Sequence, residues 1–225
     1  MPKALENIRR IRSSKYLVLN DIADVLDETV DLFESIGREK FRCLVEGQDI
    51  RAIEGTVIPQ EPARCWQIAE RKSKNVYALR YKDIVVGLVR PERRNIGLLL
   101  SKRNDIVGSP DGVATIRIKP GMSEQYPVEW LFSALRSEAC RLQFWTESGG
   151  TSYGKLTRDH IRNLLLPVPT TKVRRVIKEK VETWARHTEE GLKLWDTIGT
   201  PEDRKPILNS PIFGLGSDVG NSEAS

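Results

Sequence analysis

The chain has 225 residues, 39% hydrophobic and 30% charged, with a formal net charge of +5 and a pI near 9.1. That length buries one good core, or one core plus an extended appendage. No apolar run approaches the roughly 20 residues that cross a bilayer, and Met1–Arg10 lacks the apolar centre of a signal peptide, so a cytoplasmic protein is expected. The three cysteines, Cys43, Cys65 and Cys140, are far apart and argue against a disulfide framework. No Cys or His pair has zinc spacing, and no metal is expected. The last 25 residues hold four acids against two bases, so residues 1–200 carry +7. Such an excess favours a polyanion partner through phosphate contacts and counterion release.

In chain order, Leu5 and Ile8 share a face of a short N-terminal helix. Tyr16-Leu17-Val18-Leu19 leads into a strand, and Asn20-Asp21 offers a cap for a helical turn over Ile22–Leu26. Lys40–Val45 alternates like a half-buried strand, and Glu54–Ile58 starts another extended piece. Residues 59–76, with Pro59, Pro62 and several cations, read as a surface loop. Three β-branched runs follow: Lys82–Val89, Asn95–Leu100 and Gly112–Ile118. Turn residues separate them. Pro127 opens one helix from Val128 to Phe144, with Leu142 among its apolar positions. Thr157–Asn163 is short and helical, and Leu164–Val168 forms a last strand whose Pro167 suits an edge.

From Thr170 the pattern becomes a heptad. Ile177, Val181, Trp184, Thr188, Gly191, Trp195 and Ile198 recur at alternating spacings of four and three. That is a coiled-coil seam on a helix roughly 43 Å long. A helix folded onto its own domain is the simpler reading of this seam, and pairing with another long helix is the preferred one. Pro201, Pro206, Pro211 and a Gly/Ser-rich end read as a flexible tail.

Gly149–Lys155 fits the G-x-x-x-x-G-K frame of a phosphate-binding loop, but Leu156 stands where the magnesium-binding hydroxyl belongs. The turn also follows a helix rather than a buried strand. His160 and His187 lie among charged helical neighbours and read as solvated or capping residues. No Ser, Cys or Thr carries the local signature of an activated nucleophile. The stronger signal lies in the basic loops. Arg64, Lys72 and Lys74 lie in one, with Gln67 between them. Arg90, Arg93 and Arg94 crowd a second, and Lys102 and Arg103 a third. Arg grips guanine bidentately, Gln grips adenine, and Lys and Arg hold phosphates.

The order of these elements resembles the target recognition domain of type I restriction–modification specificity (S) subunits. Leu19-Asn20-Asp21-Ile22-Ala23-Asp24-Val25 resembles the family's entry step. Val45–Ile50 and Leu79–Gly87 resemble its two strands built on an Asp-Ile step, and Ile96-Gly97 its glycine strand. Gly150-Thr151-Ser152, then Ile161, Leu164 and Leu166-Pro167-Val168-Pro169, resembles its closing turn and exit. Lys82 stands where the family commonly has Gly before Asp83. Thr170–Arg174 replaces its usual continuation after the final proline.

The resemblance implies an α+β fold: a strand-rich DNA recognition domain over 1–169, a long coiled-coil-like spacer helix over 170–199 and a tail over 200–225. It implies a non-catalytic subunit that binds duplex DNA and directs a separate adenine methyltransferase, with a restriction subunit as a further partner. S-adenosylmethionine is then the partner's cofactor, and this chain holds none. The expected DNA contacts are the residues named in the three basic loops together with Thr151, Ser152 and Lys155. Ile177, Val181, Trp184, Thr188, Trp195 and Ile198 are the expected helix-pairing positions. A full specificity subunit carries two recognition domains and this chain has room for one, which leaves a homodimer through the long helix or a solitary module. The alternatives are a protein–protein adaptor built on the helix, and a nucleotide-binding enzyme using Gly149–Lys155.

Overall fold

The computed structural model describes residues 16–31, 43–59, 75–149 and 154–197. The expected N-terminal helix, the basic loop with Arg64, Gln67, Lys72 and Lys74, the turn residues Thr151 and Ser152, Ile198 and the tail lie outside the described residues. The chain divides into two compact units, Met1–Ala185 and Arg186–Ser225.

The first unit is a mixed α+β domain. Its opening elements are β1 (Tyr16–Val18), α1 (Leu19–Ile22), β2 (Ala23–Val25), β3 (Val30–Asp31) and β4 (Cys43–Val45). Then come β5 (Ile50–Arg51), β6 (Thr56–Val57), β7 (Asn75–Ala78), β8 (Ile84–Gly87), β9 (Ile96–Leu98), β10 (Ile106–Gly108) and β11 (Val113–Ile118). Helices α2 (Val128–Leu135), α3 (Glu138–Glu147) and α4 (Arg158–Arg162) precede β12 (Leu165–Pro167) and the long helix α5 (Thr171–Thr197).

A six-stranded sheet of order β2-β11-β8-β9-β6-β5 forms the centre. One of its faces meets α2, α3, α4 and the start of α5, where Ile84, Val86, Leu98, Ile116, Leu131 and Ile161 pack together. Its other face meets the four-stranded sheet β3-β7-β10-β4 through Val85, Leu99, Val113, Tyr77 and Ile106. Burial from both sides explains why β8 is a continuous β-branched run rather than an alternating one. In β9, a Cβ on Gly97 would stand 2.8 Å from Val57 Cγ2 and 2.9 Å from the Thr56 carbonyl oxygen, so only glycine lets β6 approach this closely.

Two turns repeat one design. Asp49 accepts from the Glu46 backbone N–H at 2.7 Å, and Asp83 accepts from the Arg80 N–H at 2.7 Å. In each case a buried carboxylate closes a tight turn, and the following isoleucine starts a strand of the central sheet. The β1–β12 pair is antiparallel, with Leu17 opposite Leu166. Gln143 covers the remaining edge of β12: its amide accepts from Leu165 N–H at 2.9 Å and donates to the Leu165 carbonyl at 3.0 Å.

Three expectations need correction. Ile22–Leu26 is not a helical turn: the helix comes earlier, at Leu19–Ile22, and Ala23–Val25 is strand β2, paired with β11. Buried Ala23, exposed Asp24 and buried Val25 alternate with period two, which outweighs the cap at Asn20-Asp21. The helix expected over Val128–Phe144 is two helices. Ser137 starts the second by accepting from Cys140 N–H. Arg136, at the break, donates to the carbonyls of Ile96 at 2.8 Å and Ile53 at 3.0 Å. Leu142, expected on an apolar face, is exposed.

Helix α5 begins as part of the domain. Ile177, Val181 and Trp184 pack against the helical core, and Trp184 stacks on Phe132 with centroids 5.4 Å apart and planes 18° from parallel. The first half of the heptad seam is thus occupied within the chain itself. No helix among the described residues is long and apolar enough to cross a membrane.

Replacing Trp184 with Ala is therefore expected to destabilise the protein by about 2–3 kcal/mol and lower its melting temperature by roughly 5–10 °C. Thermal denaturation at low protein concentration checks this. A melting temperature that fell only at concentrations supporting association would instead mark Trp184 as a pairing residue.

Candidate nucleic-acid interface

Strands β8 and β9 form an antiparallel hairpin in which Ile84 faces Leu98 and Val86 faces Ile96. The expected DNA contacts that the structure describes lie at its two ends. Arg90, Arg93 and Arg94 occupy the connection between the strands, while Lys102 and Arg103 follow β9 at the opposite end. Roughly 10 Å of paired strand separates the two groups, so they are not one cluster.

The connection carries a 3-10 turn, Pro91–Arg93, flanked by Arg90 at φ 56° and Arg94 at φ 53°. Both are left-handed, a conformation that non-glycine residues rarely adopt. The turn is held by its neighbours. Arg90 N–H donates to the Gly154 carbonyl at 3.2 Å, Leu156 N–H donates to the Leu88 carbonyl at 2.8 Å, and Val89 bridges Lys155. Lys155 is exposed. The structure thus places Arg90 and Lys155 side by side, although 65 positions separate them in the sequence.

This arrangement also decides the fate of the phosphate-loop frame. Gly149 follows helix α3, not a strand, and the residue after Lys155 is the buried Leu156. A Cβ on Gly154 would lie 2.6 Å from the Ser148 carbonyl oxygen, so the two limbs of the turn touch. The helix that follows, α4, starts at Arg158, with Thr157 as its cap. His160 completes that cap by accepting from Thr157 N–H at 3.3 Å through Nδ1, a structural role.

Arg94 and Arg141 both bind the Glu138 carboxylate, Arg94 at Oε2 and Arg141 at Oε1. Arg141 was not among the expected contacts; its i,i+3 spacing from Glu138 was the available sign. Arg136 lies close enough that the Arg94 charge lowers its affinity for its proton, second to the effect of burial.

At the opposite end, Lys102 lies 5.3 Å from the centre of the Tyr81 ring and Lys82 lies 5.9 Å from it. Arg103 is paired with Asp105 through its Nε at 2.8 Å. Lys82 is itself left-handed, at φ 67°, with its N–H donated to the Leu99 carbonyl and its ammonium on buried Glu129 at 2.5 Å. A cleft of about 460 Å³ opens beside these residues, but its cations Lys82, Arg117 and Lys178 each face an acid, Glu129, Asp83 and Glu182. Among the described residues, this cleft offers a polyanion less than the turn at Arg90–Arg94 does.

Two further polar groups tie the elements together: Asp83 with Arg117 joins the two sheets, and Arg162 joins α4 to β2. Asp83 is buried and takes two hydrogen bonds from Arg117, at 2.8 and 2.6 Å. Burial pushes its carboxyl up, and the hydrogen bonds and charge of Arg117 oppose that shift. Arg117 also donates to the Ala78 carbonyl of β7 at 3.2 Å. Arg162 of α4 donates to the Val25 carbonyl at 3.1 Å and to Asp27. The Cys140 thiol, pushed up to about 11 by burial, is inert as a nucleophile.

Of the helix positions, Ile177, Val181 and Trp184 lie against the core as described above, and Thr188 is half-buried. Trp195 is within α5, but its side chain, like Ile198, lies outside the described residues.

No protein-family model matches this sequence. No curated protein matches it either. Solved structures do. A chain from the type I R–M system, solved in work on its complex assembly and conformational transition, superposes with a TM-score of 0.58 at 23% identity. The match covers 93% of this chain and 50% of that one. The HsdS subunit from Thermoanaerobacter tengcongensis gives 0.57 at 23% identity, over 92% of this chain and 51% of that one. The chain has the HsdS fold. It spans about half the length of the HsdS-type chains it matches. The position before Asp83 is left-handed, a conformation glycine adopts at less cost, and here Lys82 occupies it.

Removing the Asp83 carboxylate leaves Arg117 without its partner at the joint between the sheets. Asp83→Ala is expected to cost roughly 3 kcal/mol, and replacing both residues by apolar ones less than that. Urea denaturation of both single variants and the double variant measures the coupling; a double loss equal to the sum of the two single losses would show that the pair is not coupled.

Proposed function

We propose that this chain is a DNA target-recognition module that reads one segment of duplex DNA and directs a separate adenine methyltransferase to it. The observation that carries the reading is the HsdS fold over 93% of the chain. The motif order in the sequence supports it independently. So does the placement of Arg90, Arg93, Arg94 and Lys155 on adjoining turns at one end of the central hairpin. In this reading the chain contributes binding and no chemistry. The partner takes the adenine out of the stack and supplies S-adenosylmethionine. Work of this kind is done beside the chromosome, in the cytoplasm.

Cations on exposed turns supply phosphate contacts, which fix the register, while side chains reaching base edges supply the sequence. Arg90, Arg93 and Lys155 act at one end of the hairpin and Lys102 at the other. Arg64, Gln67, Lys72, Lys74, Thr151 and Ser152 are further contacts in this reading. A restriction subunit and a second copy of this chain are further partners of the same complex. A second copy would supply the other half of the length that HsdS-type chains have, and a symmetric pair would read an inverted repeat.

Sequencing of methylated bases in cells that carry an adenine methyltransferase, with and without this gene, is the decisive experiment. The expected result is one adenine-methylated motif that disappears when the gene is deleted and is lost or degraded when Arg90, Arg93 and Lys155 are changed to Ala together. An unchanged methylation pattern after deletion would overturn the reading.

A further inference from the structure

The Glu138 carboxylate sits between two guanidinium groups. Arg141 donates to its Oε1 from Nε at 2.7 Å and again from Nη2, and Arg94 donates to its Oε2. Arg136 stands behind them, fixed on the carbonyls of Ile96 and Ile53 and close enough to sense the Arg94 charge. Two arginines converging on the separate oxygens of one anion form the geometry by which proteins hold phosphate. The occupant here belongs to the chain itself.

Three features separate this arrangement from an ordinary surface ion pair. Arg94 reaches Glu138 from a left-handed position across 44 residues of sequence, whereas a helix pair needs no strained partner. The site is open: the side chains of Arg94 and Glu138 are 45% and 55% exposed. It also adjoins the turn that carries Arg90 and Arg93. The hydrogen bonds from Arg141 hold the Glu138 carboxyl below its usual range; desolvation opposes them, and the charges of Arg141 and Arg94 add to the lowering. It is therefore ionised at neutral pH. Exposed pairs of this kind contribute little to stability, so the fold does not depend on the contact.

We propose that Glu138 is a positioning residue that occupies a phosphate cradle formed by Arg94 and Arg141, and so sets the balance between sequence-specific and non-specific DNA binding. A DNA phosphate gains the cradle only by displacing the carboxylate. Duplexes of any sequence meet that competition, and only a duplex whose other contacts are satisfied overcomes it. The inference rests on the DNA-recognition reading above.

The test uses the full chain and a pool of duplexes with a randomised centre. Affinity is measured across a range of salt concentrations, and the bound fraction is sequenced. Glu138→Gln keeps the shape but removes the charge and replaces one acceptor oxygen with an NH2 donor, so it can no longer hold both arginines. It is expected to tighten binding to the pool about three- to tenfold, to steepen the slope of log K against log salt by about 1, and to weaken the enrichment of any motif. In the Arg94→Ala background the same substitution should change pool binding far less, because half of the cradle is gone. Thermal melts of each variant confirm that the fold is retained. If the wild-type chain enriches a motif but Glu138→Gln alters neither slope nor enrichment, the cradle proposal is wrong and the recognition reading stands. If the wild-type chain shows no salt-sensitive binding to the pool, both fail together.

Discussion

The carboxylate of Asp83 is the point on which the rest of this domain depends. It is buried, it closes the turn that starts β8, and it holds Arg117 of β11, which in turn reaches the Ala78 carbonyl at the end of β7. One group thus ties together two strands of the central sheet and the first strand beyond it. A buried anion is costly unless it is paired and hydrogen-bonded, and here a backbone N–H and a bidentate guanidinium serve it. With that knot in place, β8 and β9 keep a fixed register, and the turns at both ends of the hairpin are displayed from a rigid base. The basic residues at those turns can then sit in uncommon conformations without loosening the sheet.

Helix α5 shows how a single sequence pattern serves two architectures. Ile177, Val181 and Trp184 are spaced as a coiled-coil seam requires, and the same spacing is what a helix needs to lie on a globular core. Periodicity reports that an apolar stripe is buried, not what buries it. The stacking of Trp184 on Phe132 answers that question for the first half of the helix, where the simpler reading of the seam applies.

Strands β8, β9 and β11 of the central sheet were legible because burial on both faces favours unbroken apolar runs, as in Ile84-Val85-Val86, whereas the short β2 was masked by the cap signal at Asn20-Asp21. Of the second sheet, β4 was legible within Lys40–Val45, but β7 and β10 were not. Ile106-Val107-Gly108 is three residues long between turn-forming segments, and β7 follows a polar loop, so neither leaves a pattern long enough to read. Both exist because partners elsewhere in the chain pair with them. The same distinction holds at the interface. The sequence shows which loops are basic, but not which cations are already neutralised. Lys82 meets Glu129 across 47 residues and Arg94 meets Glu138 across 44, and neither contact has a local signature. Conversely, the Asp-Ile steps at Asp49 and Asp83 were visible as motifs before their shared function as turn-closing carboxylates was apparent.

The three described non-glycine residues with positive φ, Lys82, Arg90 and Arg94, are all basic and all flank the β8–β9 hairpin. Glycine would adopt these conformations at less cost. Each left-handed residue is instead held by a backbone hydrogen bond: Lys82 to Leu99, Arg90 to Gly154 and Arg94 to Pro91. Strain of this kind persists only where the surroundings over-determine it. Here the surroundings are the Asp83 knot on one side and the Val89–Lys155 bridge on the other. The combination keeps long cationic side chains on a short, stiff base, where their positions vary less than they would on a glycine turn. Affinity for a polyanion needs only charge. Selectivity among polyanions also needs charge held in place, and the backbone at Lys82, Arg90 and Arg94 is fixed by hydrogen bonds at both ends of the hairpin.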